Sequence, residues 1–87
     1  MMIKRLMNEL VKAEDVMNEL DELFEMNPEN GEIESRWDAQ YKVVWDAREA
    51  LEDEIVKITA GQITKKIAHI MVGGKRAELQ ALVARLA

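Results

Sequence analysis

The chain has 87 residues, with 12 Lys or Arg against 17 Asp or Glu for a net charge of −5, no Cys, one His, one Pro and four Gly. A length like this makes one small domain, and a monomer so short hides only about 60 to 65% of its unfolded surface, so its core is marginal unless a second chain adds to it. The missing cysteine excludes a disulfide framework and a zinc-thiolate site, and Met1-Met2-Ile3-Lys4-Arg5 leads straight into charge, without a signal peptide's apolar run or a membrane span.

From Ile3 to Phe24 the apolar residues Ile3, Leu6, Leu10, Ala13, Met17, Leu20 and Phe24 alternate three and four apart, the spacing of a helix that packs on another helix. Met2, Val16 and Leu23 widen one flank of this stripe and Met7 the other, so the face suits a bundle better than a two-stranded zipper. A first helix is predicted over residues 2–26. Asn27-Pro28 ends it, because proline cannot continue a helix from within but fits the first position of a new one, with Asn27 as the cap. Asn30-Gly31 is a competing turn signal, so the second helix is expected to begin between residues 28 and 32. The string from Leu23 to Asn30 resembles the junction between tetratricopeptide repeats. The likeness spans about ten residues with no period of about 34 behind it, and it implies shared turn chemistry rather than kinship.

The second helix carries Trp37, Tyr41, Val44, Leu51, Ile55 and Ile58 on one stripe, with Arg48 on the same stripe, and should end at 58–60. Glu32 with Arg36, Asp38 with Lys42 and Asp53 with Lys57 are acid-before-base pairs four apart that support an exposed helix face. Thr59-Ala60-Gly61-Gln62 breaks the pattern, with Thr59 and Gln62 at capping-box spacing. A short helix with Ile63, Ile67, Ile70 and Met71 is predicted next. Gly73-Gly74 stops it, and a last helix from Lys75 to Leu86 presents Leu79, Leu82, Val83 and Leu86. No stretch alternates with period two for the length of a strand. The expected fold is all-α: a long antiparallel helical hairpin over residues 1–60 and two short C-terminal helices over 61–87, in one domain, the bundle completed by homodimerisation.

Charge divides along the same line. Residues 1–54 hold 16 acids and 6 bases, a net of −10, whereas residues 55–87 hold one acid and 6 bases, a net of +5. No base occurs between Lys12 and Arg36, while Glu14, Asp15, Glu19, Asp21, Glu22 and Glu25 crowd the second half of the first helix, where they oppose its dipole. The hairpin tip is too far from a C-terminal helix of about ten residues, which travels only about 15 Å, for the two to meet within one chain. An antiparallel homodimer would instead bring the acidic tip of one copy to Lys65, Lys66, Lys75 and Arg76 of the other.

Side chains for catalysis are few. Ser35 is the single serine and His69 the single histidine, and without cysteine no nucleophile set suggests itself. His69 reads as a surface or half-buried structural residue. The Glu-x-x-His spacing of bundle metal sites is absent, Asn27 to Glu32 lacks the alternating ligands of a calcium loop, and Glu49, Glu52 and Asp53 read as a solvated polar face. No cofactor is expected. Gly73-Gly74-Lys75-Arg76 at a helix start has the makings of an anion contact, though a plain turn explains it, and Thr59 to Leu86 has only the outline of a helix-turn-helix.

Trp37, Tyr41 and Trp45, spaced four apart, form an aromatic stripe that drifts off the seam. Core packing is the default for such residues, but any exposed part, with Arg48 beside it, suits a partner hot spot. The expectation is therefore a non-enzymatic, cytoplasmic interaction module, a homodimer that binds another protein through Trp37, Tyr41, Trp45, Arg48, Glu19 and Glu22, with no membrane contact. The alternatives are nucleic-acid binding through Lys65, Lys66, Lys75, Arg76 and Arg85, or an acidic inhibitor that imitates nucleic acid, as mobile elements encode.

Overall fold

The structure, a computed structural model, describes residues 2–86 as four helices: α1 (Met2–Met26), α2 (Gly31–Ile58), α3 (Lys65–Gly74) and α4 (Arg76–Leu86). No strand occurs among the described residues. The long hairpin expected from periodicity is present, and at about 1.5 Å per residue α2 alone runs about 42 Å. The molecule measures 46 × 21 × 18 Å.

The turn between α1 and α2 is built by two asparagines with different tasks. Asn27 Nδ2 donates to the Leu23 carbonyl at 3.2 Å and closes the end of α1. The cap of α2 is Asn30, not Asn27: its Oδ1 accepts from the backbone N–H of Glu32 at 3.0 Å and of Ile33 at 3.3 Å. Pro28 therefore sits in the turn and α2 starts at Gly31, because an asparagine immediately ahead of the helix satisfies two otherwise orphaned donors.

Between α2 and α3, the Thr59 hydroxyl donates to the Ile55 carbonyl at 2.7 Å and accepts from the Ile63 N–H at 3.2 Å. Thr59 thus closes α2 rather than opening α3, whose cap is Thr64. The predicted Thr59–Gln62 capping box is not formed. Ala60 and Gly61 carry the chain through positive φ, at 53° and 82°, which lets the Gly61 N–H reach the Val56 carbonyl at 2.9 Å. α3 and α4 are separated by Lys75 alone.

The core runs through Ile3, Met7, Leu10 and Ala13 of α1, Val44, Leu51 and Ile55 of α2, Ala68 and Val72 of α3, and Leu79, Leu82 and Val83 of α4. Of the two flanks widening the α1 stripe, the Met7 side is buried because α4 lies there, whereas Met2, Val16 and Leu23 are exposed. The short helix also turns differently from expectation. Its inward residues are the small Ala68 and Val72, which admit a close approach to α2, while Ile67 and Ile70 are each 48% exposed.

Candidate functional site

The α3–α4 pair forms a second layer over one face of the hairpin, but over only about half its length. Its free end is the turn into Arg76, which meets α1 at Glu14. The Arg76 guanidinium donates to both Glu14 oxygens, at 2.6 and 2.9 Å, and to the Val72 carbonyl at 2.8 Å. Arg48 of α2 donates to the same carboxylate at 3.3 Å and lies 5.4 Å from the centre of the Trp45 ring, in cation–π range. One carboxylate thus ties three helices together. Partial burial pushes the Glu14 carboxyl up, but the hydrogen bonds and charge of Arg76, then of Arg48, outweigh it and hold it below the usual carboxylate range.

Beyond this clamp the same face of the hairpin is bare. An aromatic row follows it: Phe24 of α1 packs against Trp37 at 6.3 Å between ring centres, Trp37 stacks on Tyr41 at 5.4 Å, Tyr41 meets Trp45 edge-on at 6.0 Å, and Trp45 stacks on His69 of α3 at 6.3 Å. Residues four apart on α2 stand one turn above another, which places the three rings in line. Trp37 is half-buried and its indole N–H donates to Asp21 of α1, while Tyr41 is 47% and Trp45 39% exposed. Met17, Asp21, Tyr41, Trp45 and Arg48 line an open cleft between the helices, which Phe24, Glu25 and Trp37 extend toward the tip.

At the other end of the row sits a second polar cluster. Glu52 of α2 is only 4% exposed, a correction to its reading as a solvated acid. His69 Nδ1 lies 3.3 and 3.2 Å from its two oxygens, and Lys65 Nζ lies 3.8 Å from one of them. Lys65 also donates to Asp53, a bond that together with the nearby acids holds its ammonium above the usual lysine range.

Of the residues expected to bind a partner, Tyr41 and Trp45 are open on the cleft, Trp37 is half-buried beside them, and Arg48 is half-buried against Glu14 and Trp45. Glu19 and Glu22 are exposed on α1, and the acid that reaches the aromatic row is Asp21. The residues grouped as an anion contact do not stand together as free cations. Lys65 is paired with Asp53 and Glu52, Arg76 with Glu14, and Lys75 lies 3.9 Å from Glu78, while Lys66 is exposed. The site residues that sequence reasoning missed are Glu14, Asp21 and Glu52. Each had a signal: Glu14 and Asp21 lie seven apart, four residues after the seam positions Leu10 and Met17, and Glu52 lies three before Ile55.

Ser35 and His69 are not brought together. His69 lies over Glu52, and about 17 residues of helix, some 25 Å, separate positions 35 and 52 on α2. Among the described residues, no group of three or more His, Asp or Glu is placed to hold a metal ion, and no helix is long and apolar enough to cross a membrane. In comparisons with known proteins, no family model, curated protein or solved structure matches this chain.

Proposed function

We propose that this chain is a non-enzymatic cytoplasmic interaction module whose bare hairpin cleft docks a helix of a partner protein. The observation that carries the reading is the aromatic row. Two large rings, Tyr41 and Trp45, stay substantially open in a cleft that begins where the protein's own second layer stops. Tyr and Trp presented this way combine apolar area with a polar edge and low side-chain entropy, the properties of interface hot spots. The rim is acidic, with Asp21 and Glu25 on α1. A matching partner therefore offers an apolar ridge flanked by bases, laid between two helices as a third.

The test is affinity capture with the immobilised chain, comparing the native protein with a Tyr41→Ala, Trp45→Ala variant of unchanged circular dichroism. Loss of bound protein in the variant is the expected result. Equal capture by both would refute the cleft as the docking surface.

A further inference from the structure

We infer that the occupant of this cleft is a second copy of the chain, whose α3–α4 layer seats on the bare half of the hairpin in an antiparallel, two-fold arrangement. The inference rests on the cleft being a protein-docking surface and names its partner.

Shape is the first argument. The second layer covers α1 up to Glu14, where Arg76 ends it, and leaves the stretch from Met17 to Met26 uncovered on that face. That uncovered stretch and α3 match in size: ten residues each, about 15 Å of helix. Two such stepped molecules, placed face to face and antiparallel, each set their thick half on the other's thin half. A two-fold contact uses the same two patches twice, once in each direction, and closes without leaving either patch free.

The surface of α3 is the second argument. This helix reads Lys65-Lys66-Ile67-Ala68-His69-Ile70-Met71-Val72-Gly73-Gly74, with its two lysines in the first turn and apolar residues on both its inner and its outer side. Ala68 and Val72 fill its inner side, yet Ile67 and Ile70 stand 48% exposed on the side turned away from the hairpin core, where a one-sided surface helix carries polar residues. Ala77, Ala81 and Ala84 of α4 are likewise exposed, and their small side chains permit close approach of another helix. The unpartnered apolar surface of α3 and the unpartnered aromatic cleft thus occur on one molecule.

Charge supplies the third. Between Met17 and Tyr41 the chain has eight acids and one base, whereas from Ile63 onward it has five bases and one acid. In the antiparallel arrangement the first turn of α3, with exposed Lys66, comes to the hairpin tip of the other copy, where Glu25 lines the cleft. Like-on-like pairing of the two halves would place acid against acid; the antiparallel pairing sets opposite charges together.

The experiment is light scattering coupled to gel filtration at tens of micromolar, where a complex of micromolar affinity stays assembled. The native chain is expected at twice its 10.0 kDa mass. Ile67→Asp on the outer face of α3, and Trp45→Ala in the cleft, should each weaken dimerisation by about tenfold or more with helicity unchanged. Lys66→Glu alone should weaken it, and Lys66→Glu combined with Glu25→Lys should restore it, a readout that depends on two exposed side chains and not on folding. A monomeric native chain would overturn the inference; if that monomer still captured another protein in a Tyr41- and Trp45-dependent way, the docking function would stand without self-association. A dimer indifferent to Ile67→Asp and to the charge exchange would also overturn it, by placing the interface elsewhere.

Discussion

Arg76 and Glu14, 62 positions apart in the chain, face each other as a two-bonded pair with N–O distances of 2.6 and 2.9 Å. Both side chains are less than one-third exposed, and Arg76 also caps the Val72 carbonyl at the end of α3. This pair fixes where the second layer stops and therefore where the open cleft begins. Replacing Arg76 by Ala leaves Glu14 with the longer Arg48 contact alone, and the expected loss in urea denaturation is about 1 to 3 kcal/mol. Arg76→Lys should recover little, since an ammonium cannot span both oxygens. Lys75→Ala, at an exposed neighbour, should stay within about 0.5 kcal/mol of the native chain.

The same carboxylate makes stability depend on acid. Because the Glu14 carboxyl titrates lower in the folded chain than in the unfolded one, its contribution is fully present above the ordinary glutamate range, about pH 4.3. It is lost as the pH falls from there through the folded value. Thermal melts of the native chain and Glu14→Gln should therefore differ most near neutrality and converge as the pH drops below about 4. A gap that stays constant across that window would count against the clamp.

Glu52 is a buried acid held by one histidine and one lysine. His69→Ala removes its nearest partner and should lower stability by about 1 to 3 kcal/mol, the cost of an under-satisfied buried polar group. Glu52→Met, which places an apolar side chain of similar length in the same space, is expected to be neutral or stabilising. The double variant His69→Ala, Glu52→Met should therefore melt higher than His69→Ala alone. A double variant no more stable than His69→Ala alone would show that an unpartnered Glu52 is not the source of that loss.

The helical turn offers a local test. Asn30→Ala removes the oxygen that accepts from two N–H groups of α2 and should cost about 0.5 to 2 kcal/mol. Asn27→Ala removes one exposed hydrogen bond to the Leu23 carbonyl and should cost less, about 0.5 kcal/mol. Denaturation midpoints in the reverse order would reinstate Asn27 as the cap.

The local part of the fold was legible in the amino-acid order because it depends on neighbours three and four residues away. Ile3, Leu10, Ala13 and Leu20 on α1 and Val44, Leu51 and Ile55 on α2 recur at the period of a helix and are buried, so the hairpin and the extent of its two helices could be read directly, though not which residues cap them. The division of charge into an acidic hairpin and a basic C-terminal pair was equally plain. Which residues of α3 turn inward was not. On so short a helix apolar residues of different size fall on more than one side, and the close approach to α2 selects Ala68 and Val72 over the larger Ile67 and Ile70. Nor can spacing reveal that Glu14 would meet Arg76, or Glu52 meet His69, since each pair is brought together by helices packing across the chain. The aromatic stripe was visible from the sequence as a row; that it lies half open, in the cleft beyond the second layer, is decided by the length of α3 and α4 against that of the hairpin they cover.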